Sequence, residues 1–289
     1  MVNPIEWINS LIKLRRDVQE IRRDQADSFR KEAQRIIDAF NAHDIPPNEV
    51  MRILPEGMLD DPSEFENAQS LKRHLAKVSP WAQATLCLEP AWLKGRSNVP
   101  HKRVCSYKDL LTLAEFLQQK EHESADMNRF SIHVFKQDAL PFDRSEGPMV
   151  IVLEETCEEV DDVPYQRFYY LSEGLEFGPF HCMLNLMHVV AFAHHYGIKV
   201  WGRTMKPACL IRLDQGVGFI PDLWRGELFK PWHPEDILWR GLTGDPAWKE
   251  RMQADLDTGL RREGFTWLAD KIEADRARFS AGRQGVVSS

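Results

Sequence analysis

The run "HCMLNLMHVVAFAHHYG", His181 to Gly197, constrains this chain more than any other stretch, because it is apolar between its histidines and holds no Gly or Pro before Gly197. Such a pattern reads as one helix that starts after Pro179 and takes Gly197 as its cap. Leu184, Met187, His188, Val190 and Ala191 cover its buried side, so it belongs at the centre of a domain, with His194, His195 and Tyr196 as its polar exit. Cationic histidine there also favours the helix dipole. The same histidines invite a metal site, and spacing argues against one. His181, His188 and His195 recur every seven residues, which sets successive Cα atoms about 10 Å apart on a helix. Ligands of one zinc lie about 2 Å from it, and helical pairs that share an ion are three or four residues apart. The run is therefore read as structural, with no metal and no cofactor expected.

Around that helix lie short runs rich in β-branched and aromatic residues, bounded by turn residues: "RFSIHVFK", "PMVIVLEET", "QRFYYLSEG", "KVWGRTM" and "ACLIRLDQGVGFI". Each reads as a strand, the last as a hairpin turning near Asp214, Gln215 and Gly216. The order predicts an α+β fold: a long N-terminal helix and helical basic segment, then a mostly antiparallel sheet with a packed central helix and a helical C-terminus. Helices are expected at Pro234 to Arg240, Pro246 to Arg262 and Thr266 to Phe279, with Asp245 as an N-cap and Gly264 as a break. The domains expected are a helical arm over 1–54, possible as an oligomerising element, a helical basic segment over 55–125, an α+β domain over 126–280 and a disordered tail over 281–289.

Residues 4–42 hold no Gly and no Pro after Pro4, and their apolar positions recur mostly at helical spacing, which predicts one long helix or two in line. Its charged middle, "RRDVQEIRRDQADS", leaves a thin apolar seam of the kind that pairs with a second helix. Ile5, Ile8 and Ile12 are thus candidate interface residues for self-association or a protein partner; a helix lying across its own domain is the alternative. A charged helix leading into "DIPPNEVMRI" resembles the oligomerising helix and polar connection of nucleoid-structuring proteins of the histone-like type. That resemblance covers about 50 residues, includes no DNA-hook motif and transfers no residue role. Further on, "CSYKDLLTLAEFLQQKE" reads as an amphipathic helix with Ser106 at its N-cap.

The net charge of −7 hides an asymmetry: residues 68–120 carry nine Lys and Arg against three Asp and Glu, and residues 121–165 carry three against twelve. A basic block on an acidic chain marks a polyanion site, unless the two blocks pair with each other inside the fold. Within "SLKRHLAKVSPWAQATLCLEPAWLKGRSNVPHKR", short helices broken by turns and followed by a basic loop are similar to a helix-turn-helix with a basic arm. Lys72, Arg73, Lys77, Lys94, Arg96, Lys102 and Arg103 are the candidate phosphate contacts, and Asn98 or His101 the candidate base-reading groups. In the Trp-rich last third, Trp224, Trp232 and Trp239 are candidate interface residues, with core packing as the other use of such side chains.

Other chemistries find less. "DQGVGFIPD" lacks the third glycine of a dinucleotide loop, and Asp143 with Glu154 lacks the lysine of a magnesium-dependent nuclease. "CEEVDD" lacks the alternating oxygen ligands and turn glycine of a calcium loop. Five cysteines without a CxxC pair suit a reducing compartment, and no apolar run nears the roughly 18 residues of a membrane span. The expectation is a cytoplasmic, bacterial-type, non-enzymatic protein that associates with nucleic acid, DNA rather than RNA, as a subunit of a larger complex. Two alternatives stand beside it: an assembly factor or inhibitor without nucleic-acid contact, and an enzyme using His188, Cys182 or Glu154.

Overall fold

The computed structural model describes residues 27–104, 106–124, 126–137, 147–158, 164–172, 174–225, 230–239 and 246–286. The first 26 residues of the expected helical arm lie outside them, Ile5, Ile8 and Ile12 included. Two compact units are present, one drawn from Met1–Pro100 and Glu159–Tyr165, the other from His101–Glu158 and Gln166–Ser289.

The first unit is a set of short helices: α1 over 27–42, α2 at Pro47–Ile53, α3 at Ala68–Leu71, α4 at Leu75–Leu86 and α5 at Pro90–Leu93, with a 3-10 turn at Pro62–Glu66. Ala33, Ile36, Ile37 and Phe40 put the apolar stripe of α1 into its core. There the Phe40 ring stacks on Trp81 at 5.0 Å and meets Phe65 edge-on at 5.3 Å, which joins α1, the 3-10 turn and α4. Asp61 and Glu64 close the 3-10 turn reciprocally as a capping box.

The second unit is built on a seven-stranded sheet. Its strands are β1 (Lys102–Arg103), β2 (Phe130–Gln137), β3 (Pro148–Glu158), β4 (Pro164–Tyr170), β5 (Leu175–Glu176), β6 (Lys199–Met205) and β7 (Pro231–Trp232). They lie in the order β1-β4-β3-β2-β6-β7, with β5 beside β3. The helices are α6 (Leu110–Glu123), α7 (Phe180–Tyr196), α8 (Pro207–Gln215), α9 (Ile220–Trp224), α10 (Asp236–Trp239), α11 (Pro246–Arg262) and α12 (Thr266–Val286).

The α+β class holds, and the mostly antiparallel sheet does not: the sheet is mixed. β2 runs antiparallel to β3 but parallel to β6, and β1 runs parallel to β4. The cause is α7, a crossover helix that returns the chain so that β6 enters beside β2 in the same direction. A second misreading contributed. The expected hairpin in "ACLIRLDQGVGFI" is helix α8, entered through Pro207 at its first turn, with Leu210 and Leu213 buried one turn apart. Its turn-like Asp214, Gln215 and Gly216 are a helix end, where Gly216 takes φ 69° and closes the last carbonyls.

Both faces of the sheet are covered. On one, Phe135, Val150, Val152, Phe168 and Tyr170 meet Leu210, Leu213, Ile220 and Leu223 of α8 and α9. On the other, Phe116 of α6 packs edge-on against Tyr169 at 5.2 Å. Helix α6 starts at Leu110 under Asp109, whose carboxylate accepts from the Thr112 amide, so Ser106 is not its N-cap. Ser106 is buried instead, its hydroxyl donating to the Leu171 carbonyl and accepting from Asn185.

The acidic and basic blocks meet at one buried point. Lys120 of α6 donates to Glu155 of β3 at 3.1 Å, and Tyr169 donates to the same carboxylate oxygen at 2.7 Å. Burial by itself would depress the Lys120 ammonium; Glu155 and Glu123 together outweigh it and hold the group above its ordinary range. Removing that carboxylate leaves a buried cation with Glu123 alone beside it. Glu155→Ala is expected to cost about 3 kcal/mol of stability, read as a lower urea midpoint, and the paired Lys120→Met, Glu155→Leu change to recover most of it.

Candidate nucleic-acid interface

The expected basic segment divides between the two units. Lys72, Arg73, Lys77, Lys94 and Arg96 belong to the first, Lys102 and Arg103 to the second. Arg103 is engaged there, its guanidinium donating to the Gln215 carbonyl at 3.1 Å and lying 5.6 Å from the Tyr170 ring centre. His101 is fully buried, and its Nε2 accepts from the Ile220 amide at 3.0 Å, so it reads no base edge. The expected helix-turn-helix fails on length, since α5 has four residues, one turn, too few to lie along a groove.

What the first unit does present is a polar surface along the exposed side of α1. One shallow groove of about 400 Å³ is lined by Arg30, Lys31, Gln34, Glu66, Asn67, Ala68 and Gln69. A second, of about 400 Å³, is lined by Asp27, Ser28, Lys31, Arg35, Lys94 and Gly95. Lys31 borders both, so the two form one surface. Each group is placed by its element. Arg30, Lys31 and Gln34 fall on the side of α1 opposite Ala33, Ile36 and Phe40. Asn67 caps α3 by accepting from the Gln69 amide at 2.7 Å, and Lys72 donates to the Gln69 side chain at 2.9 Å.

Arg35 ties this surface to α5, donating to the Leu93 carbonyl at 3.3 Å. Gly95 makes room for it: its φ is 70°, and a Cβ there would stand 2.7 Å from the Arg35 guanidinium. Arg73, Lys94 and Arg96 are exposed, as is Lys77, which donates to the Gly57 carbonyl at 3.4 Å. Asp27 and Glu66 sit among these cations; Asp27 accepts from Lys31, and that contact holds its carboxyl below the usual range. Across residues 27–100, nine Lys and Arg face eleven Asp and Glu, so the positive character is local to this surface.

Asp60, Glu64 and His74 bring three possible ligand atoms within 4.8 Å. Their geometry has a structural cause, because Glu64 Oε2 already accepts from the Asp60 and Asp61 amides and pairs with His74 at 3.0 Å. The histidines of α7 separate as the spacing requires: His181 is exposed, His188 is buried, His194 pairs with Asp275 and His195 lies against Trp267.

The enzyme candidates are similarly occupied. Glu154 is held by His133 at 2.8 Å; His133 Nδ1 accepts from Arg203, so its Nε2 carries the proton and donates to the carboxylate. Asp143 lies outside the described residues. Cys182 is buried. Burial pushes the Cys157 thiol up to about 11, the reverse of an activated thiolate. Trp224, Trp232 and Trp239 are half-buried within the second unit, against Phe168, Phe177 and Phe279 respectively. Comparison with protein-family models, curated proteins and solved structures found no match to this chain.

Sequence reasoning missed Arg30, Lys31, Gln34, Asn67 and Gln69. In residues 1–53, nine positive and nine negative residues cancel, so a block count shows nothing, although the position of Lys31 and Arg35 one turn apart on the polar side of α1 was available.

His188 supplies a pH test. Burial depresses its imidazole from 6.5 to about 4, with Arg262 adding to the effect. Between those values the unfolded chain binds more protons, so the stabilisation is complete above about pH 6.5 and is lost as pH falls toward 4. The wild type is expected to lose about 2 kcal/mol more than His188→Gln between pH 7 and 5, compared through urea midpoints.

Proposed function

We propose that this protein associates with nucleic acid, duplex DNA in preference to RNA, through the exposed side of α1 and the ends of α3 and α5 in its first unit. The observation that carries this reading is the pair of grooves joined at Lys31, where cations of α1 and of the end of α5 lie beside the side-chain amides of Gln34, Asn67 and Gln69. Cations such as Lys31, Arg30 and Lys94 suit phosphates, and amides suit the paired donor and acceptor of an adenine edge. A surface with both divides the work between positioning and reading. Arg73 and Arg96 are exposed cations of the same unit, whereas Lys102 and Arg103 belong to the second. Action as a subunit of a larger complex belongs to the same proposal.

The test is mobility-shift binding to labelled duplex and single-stranded DNA and RNA. With about four phosphate contacts, affinity falls roughly 150-fold between about 50 and 200 mM salt. Lys31→Glu with Lys94→Glu is expected to abolish binding to every sequence. Asn67→Ala should change sequence preference and leave the salt slope alone, whereas Lys102→Glu should change neither. Absence of binding at low salt, or equal loss in Lys102→Glu, rejects the reading. The assembly alternative rests on the N-terminal helix with Ile5, Ile8 and Ile12 and on the Trp-rich C-terminal segment, and a concentration-dependent mass without nucleic-acid binding would favour it.

A further inference from the structure

Where α7 faces α11 in the second unit, the two helices enclose a cavity of about 450 Å³ instead of an apolar seam. Helix α7 contributes His181, Leu184, Asn185 and His188, which recur at the three- and four-residue steps of one helical face. Helix α11 answers with Asp255, Thr258, Gly259 and Arg262 at the same steps, followed by Glu263. Lys108 and Leu110, at the start of α6, close one side. Packed helix faces are ordinarily apolar. This pair encloses side chains of both charge signs beside an apolar wall, in a volume suited to a metabolite.

Three observations separate the cavity from a packing defect. His188 is 7% exposed, and its Nε2 is buried without a hydrogen-bond partner among the described residues, although burial normally demands one. The backbone of α11 reaches that nitrogen through Gly259, where a Cβ would stand 3.0 Å from Nε2; an interior helical glycine is less favourable than alanine. Lys108, on the rim, holds φ 59°, the left-handed region that lysine rarely adopts. An orphaned buried nitrogen, a glycine that admits it and a strained cation thus converge on one space.

The chemistry of the lining selects a ligand class. Lys108 and Arg262 are cationic, Asp255 and Glu263 anionic, and Leu110 and Leu184 provide an apolar wall. We infer that this cavity is a binding site for a small zwitterion, a free amino acid or close derivative, whose carboxylate meets Arg262 and Lys108 and whose ammonium meets Asp255. A polar group of the ligand supplies His188 with the partner that the protein withholds. The site is independent of the nucleic-acid reading, which concerns the other unit.

The experiment is a calorimetric titration of the full chain with each of the twenty proteinogenic amino acids and with the carboxamides of any that bind. In parallel, the His188 ring nitrogens are followed by long-range proton–nitrogen NMR. Saturable binding of one or more amino acids is expected, with an Nε2 shift. Binding should weaken at least tenfold in Arg262→Gln and in Asp255→Asn, both of which alter half-exposed or exposed side chains and leave the core intact. The carboxamide should lose affinity for the wild type and not for Arg262→Gln. The inference is overturned by no binding up to about 10 mM, a free energy weaker than about 3 kcal/mol, by equal binding of inorganic phosphate, or by binding that both variants and the Nε2 signal ignore.

Discussion

The second unit depends on burying a helix that is apolar nearly all the way round. Eleven residues of α7, from Cys182 to Ala193, are buried, and such a helix has no side to turn to water. It is accordingly surrounded by β6, α6, α10, α11 and α12. The parallel placement of β6 beside β2 follows from the same requirement, because a helix that crosses from β4 to the far side of β2 is itself the connection that covers the sheet. The C-terminal helices are then the other wall of α7 rather than an appendage, with Leu256, Leu260, Leu268 and Ile272 in the core.

A fully enclosed helix makes its polar residues expensive. Asn185 is answered by Ser106, which passes the contact on to the Leu171 carbonyl and so links α7 to the edge of the sheet. Glu155, across the sheet from α8, is answered by Lys120, Arg167 and Tyr169. Those two groups are satisfied, whereas His188 Nε2, like Tyr170 Oη, His195 Nδ1 and Asp257 Oδ1, is buried with no hydrogen-bond partner among the described residues; of these four residues, His188 is the one that lines the cavity beside α7.

How much of this could be read from residues depends on the range of the interaction. Helix α7, its Gly197 cap and the strands β2, β3, β4 and β6 were legible because each is written in a local period and its punctuation. Strand direction was not, since parallel and antiparallel partners show the same alternation, and only the crossover decides between them. Local punctuation also misled where two structures use the same residues: Asp214, Gln215 and Gly216 suit a hairpin and a helix end equally, and the buried spacing of Leu210 and Leu213 was the deciding signal. Ser106 and Asp109 both make good N-caps, and a buried partner for Ser106 settled the matter.

The candidate surface of the first unit was legible only in part for a different reason. A block of charge along the chain is not a block in space, so the run from Lys72 to Arg103 divided between two units, while Arg30 and Lys31, outside the run, joined Lys94. What assembled them was the packing of Phe40 on Trp81 and the anchoring of Arg35 over Gly95, both long-range contacts that no window of charges contains. The local acid Asp27 and the excess of carboxylates elsewhere on that unit limit the favourable field to the grooves themselves, so orientation on a polyanion would be set by where the cations cluster and not by the sign of the whole.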